Sequence, residues 1–324
     1  DRVSRGLGDV YKRQVVTIPT FYVTPTELIK FISEEVIEYV TPILEEIFVQ
    51  ELAPSHENEL DIPRIIETHE GLFEEVSDLN GLALPAIYYD EIQGNKKDGQ
   101  DVLKTMIERS VKEMKENRHS YLRKIASELP ETCEGPSDYL FLANVFIATQ
   151  EKLYSKLKQI KKDEYDWITP KMKEICVQRL DENLGHEFKT DCNLEVEKQL
   201  IHYSHEIEQA LINNALLPYF QNEKHFKFSG RLDIVSDNSI WEIKCTSKIS
   251  QEHQLQVVIY SWLWDTIFPD SPRTVRIFNI RTGEKQRLDA SYEQLIKIVV
   301  TLLKNKYSSQ EKTDSAVAIG TQEH

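Results

Sequence analysis

The feature that most restricts the fold is a short polar turn, Ser236-Asp237-Asn238-Ser239, set between two alternating apolar stretches. Aspartate and asparagine tolerate the positive φ of a tight hairpin turn. Residues 224–235 and 240–245 are therefore predicted to be paired antiparallel strands. Pairing Ser236 with Ser239 fixes the register and sets Asp233 opposite Glu242. Opposed side chains in such a pair have Cβ atoms about 5 Å apart. Lys244, two residues beyond Glu242, falls on the same face, because side chains alternate along a strand. Leu232, Ile234, Trp241 and Ile243 are assigned to the other face and supply core.

Around this hairpin the hydrophobic period changes. Thr24–Gln50, Asp98–Glu116, His119–Glu128 and Ser137–Ile160 carry apolar residues at helical spacing. Thr24 is a predicted N-cap, with Pro25 at the first helical position and Glu27 completing a capping box. Residues 52–97 show little period and are left largely unassigned. Pro170–Leu184 reads as a helix ended by Gly185. Beyond it, Leu194–His202, Thr274–Ile280 and Lys285–Leu288 alternate as strands. His205–Leu217, Gln251–Phe268 and Tyr292–Lys304 read as helices. Residues 308–324 are polar and patternless, a predicted disordered tail.

A chain of 324 residues is long enough for about two domains. The expected division is an acidic helical region at 15–165 and a mixed α/β core at 166–307. Residues 1–14, DRVSRGLGDVYKRQ, have neither an apolar period nor the h-region of a secretion signal. They are similar to translated adapter sequence and are set aside as a non-native leader, with the natural protein expected to extend further N-terminal.

Charge is spread unevenly. Lysine plus arginine is 39 and aspartate plus glutamate 54, a net charge of −15. Residues 31–100 hold 17 acids against Arg64, Lys96 and Lys97, whereas residues 221–300 hold 11 bases against 10 acids. An acid excess repels phosphates, so the acidic segment is expected to face solvent or a partner rather than nucleic acid. Cys133, Cys176, Cys192 and Cys245 form no CxxC pair. Their spacing argues against a zinc ribbon or a disulfide scaffold and for a reducing, intracellular setting. No apolar run approaches the roughly 18 residues of a membrane span, so no membrane partner is expected.

Two facing carboxylates repel, and one must protonate unless a cation lies between them. An open, all-oxygen pair suits Mg²⁺, with Mn²⁺ as a substitute. Such a cation polarises a phosphoryl oxygen and lowers the pKa of a bound water. A lysine beside it orients that water and steadies charge on phosphorus. The competing reading is a surface hairpin with a cross-strand acid pair and an i, i+2 ion pair. The flanking residues weigh against that reading: Gly230 precedes Asp233 by three, and Gln256 and Tyr260 share one helical face. Other positions stay open between a site role and a structural one. His202 and His205 are metal ligands or capping and surface residues, and His253 and Gln254 are phosphate contacts or ordinary polar helix positions. Trp262 and Trp264 stack on bases or pack in the core, with helical spacing favouring core for Trp262.

The order G-x-x-D, E-x-K, Q-x-x-x-Y, carried by Gly230 and Asp233, Glu242 and Lys244, and Gln256 and Tyr260, resembles the PD-(D/E)XK nuclease superfamily. It is most similar to the RecB-like branch, in which a nuclease module follows a helicase. The resemblance implies a restriction-endonuclease-like α/β fold, a mixed central sheet with flanking helices. It further implies that Asp233 and Glu242 hold Mg²⁺, that Ile243 lends its carbonyl, and that Lys244 is catalytic. Gln256 and Tyr260 then border the active site and the DNA. The specific motifs span residues 195–264. Glu195 and Glu197 fall on the strand where the family often places a glutamate, and TPTELIKF at 24–31 is similar to the opening helix of such modules. Segments 138–160 and 241–264 resemble the C-terminal regions of UvrD-like helicases of large DNA viruses.

Two departures accompany the resemblance. Helix 170–184 lacks the family's upstream histidine, leaving His186, Glu174 and Asp181 as open replacements. The cysteines lack the spacing of an iron–sulfur cluster, so none is expected. No GxxxxGK[ST] motif is present, so any helicase motor lies outside this chain. The implied function is Mg²⁺-dependent DNA hydrolysis in recombination, repair or replication, at a viral replication site or in a nucleus. The alternative is a catalytically inactive nuclease fold that binds DNA or docks a helicase.

Overall fold

The computed structural model describes residues 20–55, 57, 59–92, 101–190, 194–203 and 225–320. The N-terminal part comprises β1 (Thr20–Val23), α1 (Pro25–Ile29), α2 (Glu34–Ile47) and β2 (Phe48–Leu52), then the hairpin β3 (Ile65–Glu67) and β4 (Phe73–Glu75). Helices α3 (Ser77–Ile92), α4 (Val102–Lys115), α5 (Ser120–Ser127), α6 (Pro136–Glu151), α7 (Lys156–Gln159) and α8 (Pro170–Thr190) follow. Strands β5 (Glu195–Tyr203), β6 (His225–Val235) and β7 (Ser239–Lys244) lead to α9 (Gln251–Ile267). Strands β8 (Thr274–Asn279) and β9 (Lys285–Leu288) then precede α10 (Tyr292–Gly320).

Seven strands form one mixed sheet in the order β1-β6-β7-β8-β9-β2, with β5 also paired to β6. The β1–β6 and β7–β8 pairs are parallel and the others antiparallel. The expected mixed central sheet with flanking helices is therefore present. Both faces of the sheet are buried. Ile234, Trp241, Ile243 and Phe278 pack with Tyr88, Tyr89, Leu140 and Leu180 of the helical region. Phe226, Phe228, Leu232, Val235 and Ile240 pack with Leu255, Trp262, Leu263 and Ile298 of α9 and α10. Trp262 is thus core, as its spacing indicated.

Several expected boundaries change. The division near residue 165 does not part sheet from helices, because β1 and β2 come from the N-terminal segment and pair with β6 and β9. The single helix expected over 24–50 is interrupted at Phe31, whose φ is 59°, and gives way to β2. Thr24 does cap α1, accepting the Glu27 N–H at 3.2 Å, and Pro25 is its first residue. Helix α8 runs through Gly185. A Cβ there would lie 2.3 Å from Asp181 Oδ1, so the glycine makes room for that side chain and does not end the helix. The predicted disordered tail is helical to Gly320, since extending an existing helix is far easier than nucleating one. Helix α3 lies inside the unassigned stretch because it is buried all round, from Leu79 and Asn80 to Tyr89 and Asp90, and shows no amphipathic period. The expected helix at 205–217, the leader 1–14 and Cys192 lie outside the described residues.

Part of the acidic segment is answered within the chain. Glu51 pairs with Arg276 at 3.1 Å and Arg287 at 3.5 Å, and Glu59 with Arg281 at 2.7 Å. Glu34, Glu35, Glu38, Glu45 and Glu46 on α2 are exposed. Among the described residues no helix is long and apolar enough to cross a membrane.

Candidate active site

The β6–β7 hairpin has the predicted register. Ile234 pairs with Trp241 and Val235 with Ile240, and Ser236 N–H donates to the Ser239 carbonyl at 2.8 Å. On the other edge of β6, Val196 pairs with Ile234 and Lys198 with Leu232, which sets Glu197 opposite Asp233. Residues three apart on a regular strand face opposite ways. Leu232 and Val235 nevertheless join the same core cluster, so Leu232 does not share a face with Ile234 as expected, and β6 changes face at Asp233. Across from this slip Glu197 adopts a left-handed backbone, φ 52°. That conformation is uncommon outside glycine, asparagine and aspartate, and persists where surrounding structure holds it.

Glu197, Asp233 and Glu242 lie near enough to feel one another's charge. Glu242 is buried and Asp233 half-buried, and the Glu197 side chain is 9% exposed. The Ile243 N–H donates to Asp233 Oδ2 at 2.6 Å. Lys244 Nζ donates to Glu242 Oε1 at 2.6 Å and to Gln256 Oε1 at 2.8 Å, and Gln256 Nε2 donates to the Tyr260 hydroxyl at 3.0 Å. The lysine therefore bridges the acidic strand and α9, in a network of four residues singled out in the sequence, Glu242, Lys244, Gln256 and Tyr260. Arg231 Nε lies 2.7 Å from Glu197 Oε2, and its guanidinium rests 4.4 Å from the centre of the Phe146 ring.

Burial raises the pKa of all three acids, and the charge of Asp233 adds to it at Glu197 and Glu242. Glu197 is pushed up to about 8 by burial, then by the charge of Asp233, against the pull of Arg231. Glu242 rises to about 7 through burial and Asp233, opposed by Lys244. Asp233 is raised by burial, with Lys244 and the Ile243 N–H pulling the other way. A carboxyl whose folded pKa lies above its unfolded value holds its proton in the folded state where the unfolded chain has lost it. Stability then falls as pH rises through that interval. Thermal unfolding of the metal-free protein is accordingly expected to shift to lower temperature between about pH 4.5 and pH 8, the span from ordinary to shifted carboxyl values. The Glu242→Gln protein should show a shallower decline. An equal slope in both proteins would contradict the shared carboxylate cluster.

Gly230 has a steric reason to be glycine. A Cβ there would lie 2.9 Å from Tyr260 Cε1, so the ring of α9 packs directly on the β6 backbone. Gly230→Ala is expected to destabilise the fold by about 1–3 kcal/mol through overpacking, measured by denaturant unfolding. An unchanged midpoint would remove this role for Gly230.

Other candidates are placed elsewhere. His253 Nδ1 accepts the Ser250 N–H at 3.1 Å in a capping box, and burial lowers its pKa to about 4, so it is a neutral cap. Gln254 Nε2 donates to Gln286 Oε1 at 2.8 Å. The Trp264 indole donates to the Ser271 carbonyl at 2.7 Å and is buried, so it offers no stacking face. Glu174 and His186 are exposed, and Asp181 accepts from the Tyr88 hydroxyl at 3.5 Å and Lys189 at 3.3 Å. The acid that joins Asp233 and Glu242 is Glu197. Glu195 pairs with Lys198, His202 lies on β5, and His205 falls outside the described residues. Cys133, Cys176 and Cys245 are free cysteines.

Two neighbours were not legible in the sequence as site residues. Arg231 stands two before Asp233, a strand spacing that could have nominated it. Tyr89 of α3 is 1% exposed, and no signal pointed to it within an unassigned stretch.

Among the described residues no group of three or more His, Cys, Asp and Glu side chains is arranged to hold a metal by itself. The set expected from the sequence is smaller and mixed: the Asp233 and Glu242 carboxylates with the Ile243 carbonyl. Glu242 Oε2 is buried without a hydrogen-bond partner among the described residues, beside like charge that a divalent cation would relieve.

No protein-family model matches the sequence, and neither does any curated protein. A solved structure titled "Crystal structure of SSO0001" aligns with 48% of this chain and 69% of its own, at 16% identity and a TM-score of 0.25.

Proposed function

We propose that this chain is a divalent-cation-dependent nuclease that hydrolyses phosphodiester bonds in DNA. The observation that carries the reading is the convergence of Asp233, Glu242 and Lys244 with Gln256, on a hairpin whose acids sit at raised pKa beside an unpartnered buried oxygen, Glu242 Oε2. Asp233 and Glu242, with the Ile243 carbonyl, are the residues to hold Mg²⁺ or Mn²⁺. When bound, such an ion polarises a phosphoryl oxygen and acidifies a coordinated water.

The chain's own residues supply the rest. Lys244, half-buried and within reach of the same strand face, places an ammonium where negative charge develops on phosphorus. Gln256 holds Lys244 on that heading, and Tyr260 holds Gln256. The Ile243 N–H fixes one oxygen of the half-buried Asp233 carboxylate, Oδ2. The wider setting proposed is a nuclease module working with a helicase motor, in the same chain or a partner, on recombination, repair or replication intermediates.

The test is cleavage of single- and double-stranded DNA by this chain in Mg²⁺, Mn²⁺ and EDTA. Cleavage that needs the divalent ion is expected. A folded protein that cuts neither substrate in either metal would leave the inactive binding module as the better reading.

A further inference from the structure

Beside the carboxylates lies a group that the proposed mechanism does not use. Tyr89, on α3, stacks on Phe188 with ring centres 5.9 Å apart and packs in the same core cluster as Ile234, Trp241 and Ile243, the neighbours of Asp233 and Glu242 in the chain. Its side chain is wholly enclosed, yet its hydroxyl has no hydrogen-bond partner among the described residues. Phenylalanine would fill the same space without leaving a donor unpaired. Leaving a buried hydroxyl unpaired is destabilising, so its presence calls for a partner in some working state. The strand residues Tyr89 packs against, Ile234, Trp241 and Ile243, flank the site's acids, and those acids are the candidates. The Tyr89 phenol is held far above its ordinary range by burial, then by Asp233, Glu197 and Glu242 in turn, so it is a neutral donor bordered by acceptors. Glu242 Oε2, an acceptor in that same cluster, is likewise unpartnered.

We infer that Tyr89 is a positioning residue of the carboxylate site, its hydroxyl donating to a carboxylate of the Asp233–Glu197–Glu242 cluster when the site holds a divalent cation. The hydroxyl fixes which carboxylate oxygen is turned toward the ion, and helix α3 of the acidic N-terminal region thereby becomes a wall of the site. This rests on the nuclease reading for the site's purpose, though not for the contact itself.

Tyr89→Phe separates the possibilities. Three quantities are compared with the unaltered protein: thermal stability without metal, Mn²⁺ affinity by calorimetry without DNA, and cleavage rate at saturating DNA. The expected result is unchanged or higher stability, Mn²⁺ affinity lower by about tenfold, the scale found for residues that orient metal ligands, and a reduced rate with unchanged DNA affinity. Equal Mn²⁺ affinity in the two proteins overturns the inference while leaving a cleaving enzyme intact. Mn²⁺ binding that weakens in Tyr89→Phe, in a protein that cuts no DNA, supports the inference and sinks the nuclease reading. No Mn²⁺ binding by the unaltered protein overturns both. A Tyr89→Phe protein that loses stability points to packing alone and also overturns it.

Discussion

Lys244→Ala is expected to lower the DNA cleavage rate by about 100- to 1,000-fold, the range for removing one group that stabilises transition-state charge, with DNA affinity changed little. The lysine is committed on both sides, to Glu242 at 2.6 Å and to Gln256 at 2.8 Å, and its side chain is 16% exposed. A group so held is poised for charge that appears during reaction, and its loss lowers kcat more than ground-state binding. An exposed phosphate clamp would behave otherwise: its removal weakens binding and reduces the salt slope by about one unit. Binding in Ca²⁺ and cleavage in Mg²⁺, each followed across salt, distinguish the two. If Lys244→Ala binds weakly yet cuts normally at saturating DNA, the catalytic role is wrong. Gln256→Ala should have a milder effect, since it steadies the lysine and carries no charge.

Asp233→Asn should abolish divalent-ion binding and reduce cleavage at least about a hundredfold, again the scale of one transition-state group, while the protein stays folded. An asparagine oxygen still accepts the Ile243 N–H, so the local hydrogen bond survives. The charge that pushes up both Glu197 and Glu242 is removed, so the metal-free fold should lose none of its stability and tolerate higher pH better. Loss of function with gained stability is the signature of an acid kept for chemistry. Normal cleavage by a folded Asp233→Asn protein would end the assignment of this site.

The local pairing at this site was legible for a plain reason. Hairpin register follows from turn residues and alternation, both of which are neighbours in sequence, so the pairing of Ile234 with Trp241 and Val235 with Ile240 followed before any tertiary contact was known. The i, i+4 spacing of Gln256 and Tyr260 was legible in the same way. Legibility failed where period failed. Helix α3 is buried on every side and so has no polar face to mark it, which hid Tyr89. Gly185 and Gly230 are alike in composition and different in use: one admits Asp181 inside a continuing helix, the other admits the Tyr260 ring against a strand.

Sequence by itself determined the strand–turn–strand unit, the helix that follows it, the Thr24 cap and the burial of Trp262, because each depends on short-range spacing or on apolar content. Tertiary structure alone decided that β1 and β2 close the sheet from the far end of the chain, and that the acids Glu51 and Glu59 meet bases more than two hundred residues away. It also decided that Glu197 is the third carboxylate, through a left-handed residue facing a slip in β6. Those outcomes depend on which surfaces are buried together, and burial sets both the strain a backbone will hold and the proton affinity of the acids it encloses.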